Sequence, residues 1–129
     1  MKVLLSFAFL FVFGLGALAQ SSPKITDLFS EGAKQVNAGQ FNAALMSYKT
    51  ALSAAENKYV NNNYRARLHY NIGLCYFHLD RFDLAADHFK HALIVKTDYS
   101  LAYYALGVTK LQTDKLKAVA SQAQAGFTK

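Results

Sequence analysis

The chain has 129 residues and a formal charge of +6, from 14 Lys and Arg against 8 Asp and Glu, with one cysteine, Cys75, and one proline, Pro23. A single cysteine excludes an internal disulfide, so stability has to come from packing. The basic residues, Lys24, Lys34, Lys49, Lys58, Arg65, Arg67 and Arg81 among them, never form a run, whereas nucleic-acid binding concentrates charge in a patch or along one helix.

The first element stands apart from the fold. Met1-Lys2 gives a basic start, an apolar run extends over residues 3–18, and Ala17-Leu18-Ala19 supplies small residues around a cut. This pattern describes a secretory signal peptide over residues 1–19, with Gln20 as the new N-terminus and an exported, periplasmic or secreted, product. An uncleaved membrane anchor is the rival reading, although the run is at the short edge of a bilayer span and no basic cluster follows it. After cleavage no stable membrane insertion is expected. Residues 20–24 form a short leader.

Periodicity near 3.6 residues then predicts helices, in order, over residues 25–37, 41–55, 64–79, 82–95, 99–111 and 115–125. Ala38-Gly39-Gln40 breaks the first two. Residues 58–63 are polar and rich in asparagine, which predicts a loop or a frayed extension. Asp80-Arg81, Lys96-Thr97-Asp98 and Thr113-Asp114 are the remaining breaks. The expected architecture is all-α, three antiparallel helix pairs spanning residues 25–127.

A repeat underlies the pairs. Gly32 is followed by Ala44, Tyr48 and Ala51, and Gly73 by Ala85, Phe89 and Ala92, at the same three offsets. Gly107 is followed there by Val119, Ala123 and Gly126, a weakened copy. Small residues at fixed points let two helices approach, and an aromatic on the second fills the space between pairs. One pair cannot bury its apolar face alone, so neighbours stack. Ala44, Tyr48, Tyr76, Ala85, Phe89 and Ala92 are the expected core.

The run Tyr70-Asn71-Ile72-Gly73-Leu74-Cys75-Tyr76, followed by Ala85, Phe89 and Ala92, resembles the tetratricopeptide repeat family. The first unit matches through Gly32, Phe41, Ala44, Tyr48 and Ala51, the third through Tyr103, Leu106, Gly107 and Leu116. The middle unit departs at His69, where the family has a Trp-like residue. Thr97 and Glu56 stand where a proline often ends a unit, and about seven residues are inserted between the first two units, around residues 58–64. The resemblance implies a right-handed solenoid and a scaffold that binds a partner helix or peptide on an aromatic concave groove. Carried over position by position, that groove comprises Phe29, Arg67, Tyr70, Asn71, Phe77, His78, Tyr104 and Val108, with Ser30, Ala33, Val36, Leu74, Leu101, Ala105 and Leu111 beside them. The family's carboxylate clamp is absent: Asn71 fits one position, but Phe29, Ala33, Leu101 and Ala105 replace its other polar residues.

Catalytic chemistry finds no support. No Gly-x-Ser-x-Gly elbow or glycine-rich lysine loop occurs, and both need strands. His88 and His91 share a helix face, with Asp83 a better-placed companion than the adjacent Asp87, but two nitrogens fall short of a zinc site. That pair is read as a solvated outer face, and His69 and Cys75 as too far apart for a dyad. No metal, cofactor or nucleic acid is expected, since the groove has one strong base, Arg67, and stacking platforms need a basic track. The alternative to a peptide groove is an assembly subunit that associates through its end repeats. The weak third unit leaves Leu116, Val119, Ala120 and Ala123 in need of cover; either the last helix frays or a second protein packs on it, and closed pairing favours a weak homodimer over a filament.

Overall fold

The computed structural model describes residues 24–56 and 59–127. The signal segment, residues 1–19, and all of the leader but Lys24 lie outside them. Among the described residues there are five α-helices: α1 Ile25–Asn37, α2 Phe41–Glu56, α3 Asn62–His78, α4 Phe82–Val95 and α5 Ser100–Phe127. None of them is long and apolar enough to cross a membrane.

Local chemistry sets the ends. The Lys24 carbonyl accepts the Asp27 and Leu28 amides at 2.9 and 3.1 Å, and Asp27 sits in the first turn of α1, where the helix dipole favours an anion. The Asn61 side chain accepts the Asn63 amide at 2.8 Å and caps α3, which therefore starts two residues before the periodicity suggests. Both pairs close through the same C-terminal motif. The Gln40 amide donates to the Gln35 carbonyl at 2.8 Å and the Arg81 amide to the Tyr76 carbonyl at 2.9 Å. Each turn needs one left-handed residue: Gly39 at φ 72° and Asp80 at φ 58°.

The core runs between the pairs. Ala44, Ala51, Ala85, Phe89 and Ala92 are wholly buried, and Tyr48 and Tyr76 nearly so, which places the six expected core residues inside. The glycine–aromatic spacing has a direct cause. A Cβ at Gly32 would lie 2.7 Å from Tyr48 Cε1, and one at Gly73 2.6 Å from Phe89 Cε1, so the ring of the returning helix occupies the space a side chain would need. The seven-residue excess between the first two units goes mainly into longer helices, 16 residues in α2 and 17 in α3 against 14 in α4. The Tyr64 hydroxyl donates to the Ile25 carbonyl at 3.2 Å and ties the start of α3 to the start of α1.

The third pair is not formed. In place of a turn at Thr113-Asp114, α5 continues through both residues to Phe127, giving two helix pairs and one long helix. Within this continuous helix the Asp114 carboxylate pairs with Lys110 Nζ at 3.1 Å, one turn back, and the Thr113 hydroxyl donates to the Thr109 carbonyl at 3.0 Å. No Cβ clash marks Gly107, which has open space around it. Residues 114–127 are exposed throughout.

Candidate functional site

The first helices of the pairs, α1 and α3, and the near half of α5 present one face. On it, Tyr70, Leu74, Phe77 and His78 of α3 and Tyr104, Ala105 and Val108 of α5 surround a cavity of about 180 Å³. Steps of three and four residues put the α3 members on one stripe of that helix. The Phe89 ring forms part of the wall from α4. An apolar cavity of ~150 Å³ accepts a benzene ring, so this one has room for about one large side chain.

Two kinds of residue make up the cavity. Tyr70 is held in place, its ring 5.8 Å from Phe89 and 5.3 Å from Tyr99, and burial pushes its phenol pKa up. His78 stacks on Phe41 with ring centroids 4.4 Å apart and planes 7° from parallel, which fixes it at the rim. Tyr104 is 74% exposed. Its neighbour Ala105 is almost buried, so the floor of the α5 side is backbone and methyl group. No carboxylate lines the cavity.

Five of the eight expected groove residues, Tyr70, Phe77, His78, Tyr104 and Val108, line this one cavity. Phe29 and Arg67 do not. They form a separate cluster in which the Arg67 guanidinium lies 4.8 Å over the Phe29 ring, itself packed on Tyr48 at 5.5 Å and Tyr64 at 5.2 Å. Asn71 is half-buried on the same stripe of α3, one turn beyond Arg67. Phe89 is the lining residue that sequence reasoning assigned to packing alone. It serves both purposes, because one edge of its ring fills the Gly73 notch while the ring also bounds the cavity.

The histidines are arranged differently from the expected solvated pair. His69 of α3 joins His88 and His91 of α4: the His69 and His88 Nδ1 atoms are 3.2 Å apart, and the His69 and His91 rings stack at 5.3 Å. One of the two facing nitrogens must carry the hydrogen and the other accept it. Burial lowers the pKa of both, and nearby His69, His91 and Lys49 help push His88 down to about 4. Asp83, expected beside this group, lines the groove between α4 and α5 instead. Among the described residues no three His, Cys, Asp or Glu side chains are placed to hold a metal ion.

No curated protein matches the chain in a sequence comparison. The tetratricopeptide repeat family model matches residues 36–98, from the end of α1 to the break after α4. Domains of this family are typically non-catalytic scaffolds. The helix pairs, their glycine–aromatic contacts and this match agree: the chain carries a tetratricopeptide repeat domain, detected over residues 36–98.

Proposed function

We propose that the protein is an exported scaffold that binds a partner helix or extended peptide on its concave face, with one apolar side chain of the partner seated between Tyr70, Phe77, Tyr104 and Val108. The observation that carries this reading is the cavity itself: apolar walls, no carboxylate, and an exposed tyrosine at its mouth. Interface anchors are large side chains in desolvated pockets, flanked by polar contacts that orient them. Arg67 and Asn71 on the same stripe supply such contacts and favour a partner with acidic residues beside its apolar anchor. Export rests on the basic, apolar and small-residue pattern of residues 1–19.

The test is co-purification from the native host with the signal segment, residues 1–19, intact. Tyr104→Ala is the cleaner probe, because Tyr70 also packs on Phe89 and Tyr99 and its removal would disturb the fold. A partner recovered with the wild type and lost with Tyr104→Ala supports the groove, and one retained equally with Tyr104→Ala, Val108→Asp sinks it. Mass spectrometry of the released protein should show a chain beginning at Gln20.

A further inference from the structure

Each formed pair turns back seven residues after its glycine, at Gly39 after Gly32 and at Asp80 after Gly73. The same step from Gly107 reaches Asp114, which is helical. Beyond it α5 still has the spacing of a returning helix. Leu116 stands where Phe41 and Phe82 do, Val119 where Ala44 and Ala85 do, and Phe127 where Leu52 and Leu93 do. In the formed pairs those alanines are buried, whereas Leu116, Val119 and Phe127 are 49%, 57% and 93% exposed.

The place such a helix would fill lies open elsewhere in the molecule. A groove of about 200 Å³ runs between α4 and α5, with Ala86 and Lys90 on one side and Leu106, Thr109 and Thr113 on the other. Gly107 has nothing within 4 Å of its Cβ position, whereas Gly32 and Gly73 each meet a ring from the returning helix. Lys117 still lines this groove; a straight α-helix rises ~1.5 Å per residue, so residues 118–127 extend roughly 15 Å beyond it.

We propose that residues 115–127 of a second copy occupy this groove, the two α5 helices lying antiparallel about a two-fold axis near Lys115. Val119 and Ala123 of each copy then lie opposite Leu111 and Gly107 of the other. This exchange completes the third pair in both copies at once, and a two-fold arrangement closes without leading to a filament. Two observations favour a second copy over the same chain folding back. The helix is continuous through Asp114, with the Lys110 and Thr113 side chains bonded across the place a turn would need. Gly107 and Ala123 are small where the formed pairs use a glycine against a ring, which suits the close approach of two straight helices. The inference is independent of the concave cavity.

The test uses the full chain produced with its native signal segment and carrying Gly107→Cys with Ala123→Cys, oxidised and run without reductant, alongside sedimentation across a wide concentration range. The expected result is a covalent dimer that reductant reverses and that neither single variant forms. A disulfide within one chain would show the helix folding back and would overturn the proposal; so would a monomer with no disulfide, or a non-covalent dimer in which these positions fail to cross-link. As a second arm, Thr113→Ala, Asp114→Gly, Lys115→Gln transplants the first turn into α5. It should shift the species to a monomer and weaken association at least tenfold, and an unchanged dimer would count against exchange.

Discussion

Replacing Gly73 by alanine adds one methyl group at the tighter of the two glycine–ring contacts. The new Cβ would lie 2.6, 2.8 and 3.1 Å from Phe89 Cε1, Cδ1 and Cζ. Carbon atoms rest about 3.5–4.0 Å apart, so the ring has to retreat by roughly 0.9 Å. Phe89 is wholly buried and has Tyr70 beside it, which leaves it little room to move. Overpacking of this kind costs about 1–3 kcal/mol, with a rigid ring toward the upper end. Alanine returns up to about 1 kcal/mol of helix propensity, leaving a net loss of about 1–2 kcal/mol. Gly107→Ala gains the same propensity with nothing within 4 Å to oppose it, so it should stabilise by about 0.5–1 kcal/mol. Urea titration followed by circular dichroism, at concentrations low enough to keep copies apart, reads both. Equal midpoint shifts for the two substitutions would refute the argument, because they occupy the same place in the repeat and differ only in the ring opposite.

The remaining predictions concern other buried groups. Ala85→Leu forces three extra heavy atoms into a wholly buried site and should cost about 1–3 kcal/mol, read as a fall in the urea midpoint. His88, pushed down to about 4 by burial and its basic neighbours, is favoured neutral in the folded chain; its contribution is complete above the unfolded value near 6.5 and is lost as pH falls from there toward 4. Wild type should therefore lose about 1–2 kcal/mol over that window, allowing for water at the half-buried ring, and His88→Gln should lose measurably less in parallel urea titrations at pH 7 and 4.5. Burial pushes the Cys75 thiol up to about 11 and leaves none of it exposed. Its reaction with Ellman's reagent should track global unfolding across a urea series, and fast labelling of the native protein would contradict the burial.

Local signals carried most of the fold. The ends of α1 and α4 follow from periodicity and from strong breakers, Pro23 before α1 and Gly39 or Asp80 at the turns. The start of α3 was less legible because asparagine reads equally as loop or cap, and only the bond from the Asn63 amide to the Asn61 side chain decides between them. The absent third turn is the instructive case. Asp80 and Asp114 are the same residue at the same repeat position, yet one is left-handed and the other helical. What differs is the neighbourhood: Phe89 rewards the chain for returning to Gly73, whereas Ala123 offers Gly107 no comparable surface. The histidine group could have been found from the pair register, since setting Gly73 opposite Phe89 also brings His69 across from the turn bearing His88 and His91. Reading each helix by itself hid it. In the cavity, Tyr70, Phe77, His78, Tyr104 and Val108 were accessible from family positions, while the separation of Phe29 and Arg67 depends on a three-dimensional contact that spacing does not encode.

The notch in which each glycine receives a ring has a consequence for how such a chain can change in length. Gly32 reaches Tyr48, and Gly73 reaches Phe89, across the same number of residues, although the chain between Gly32 and Gly73 is seven residues longer than that between Gly73 and Gly107. An insertion inside a hairpin would displace the ring from its notch and undo the contact. One between hairpins is absorbed by lengthening α2 and α3. Growth and loss of sequence are therefore confined to the seams between pairs. Tyr59, fully exposed in the segment that joins α2 to α3, marks where a short epitope or a fluorescent label can enter without breaking either glycine–aromatic lock.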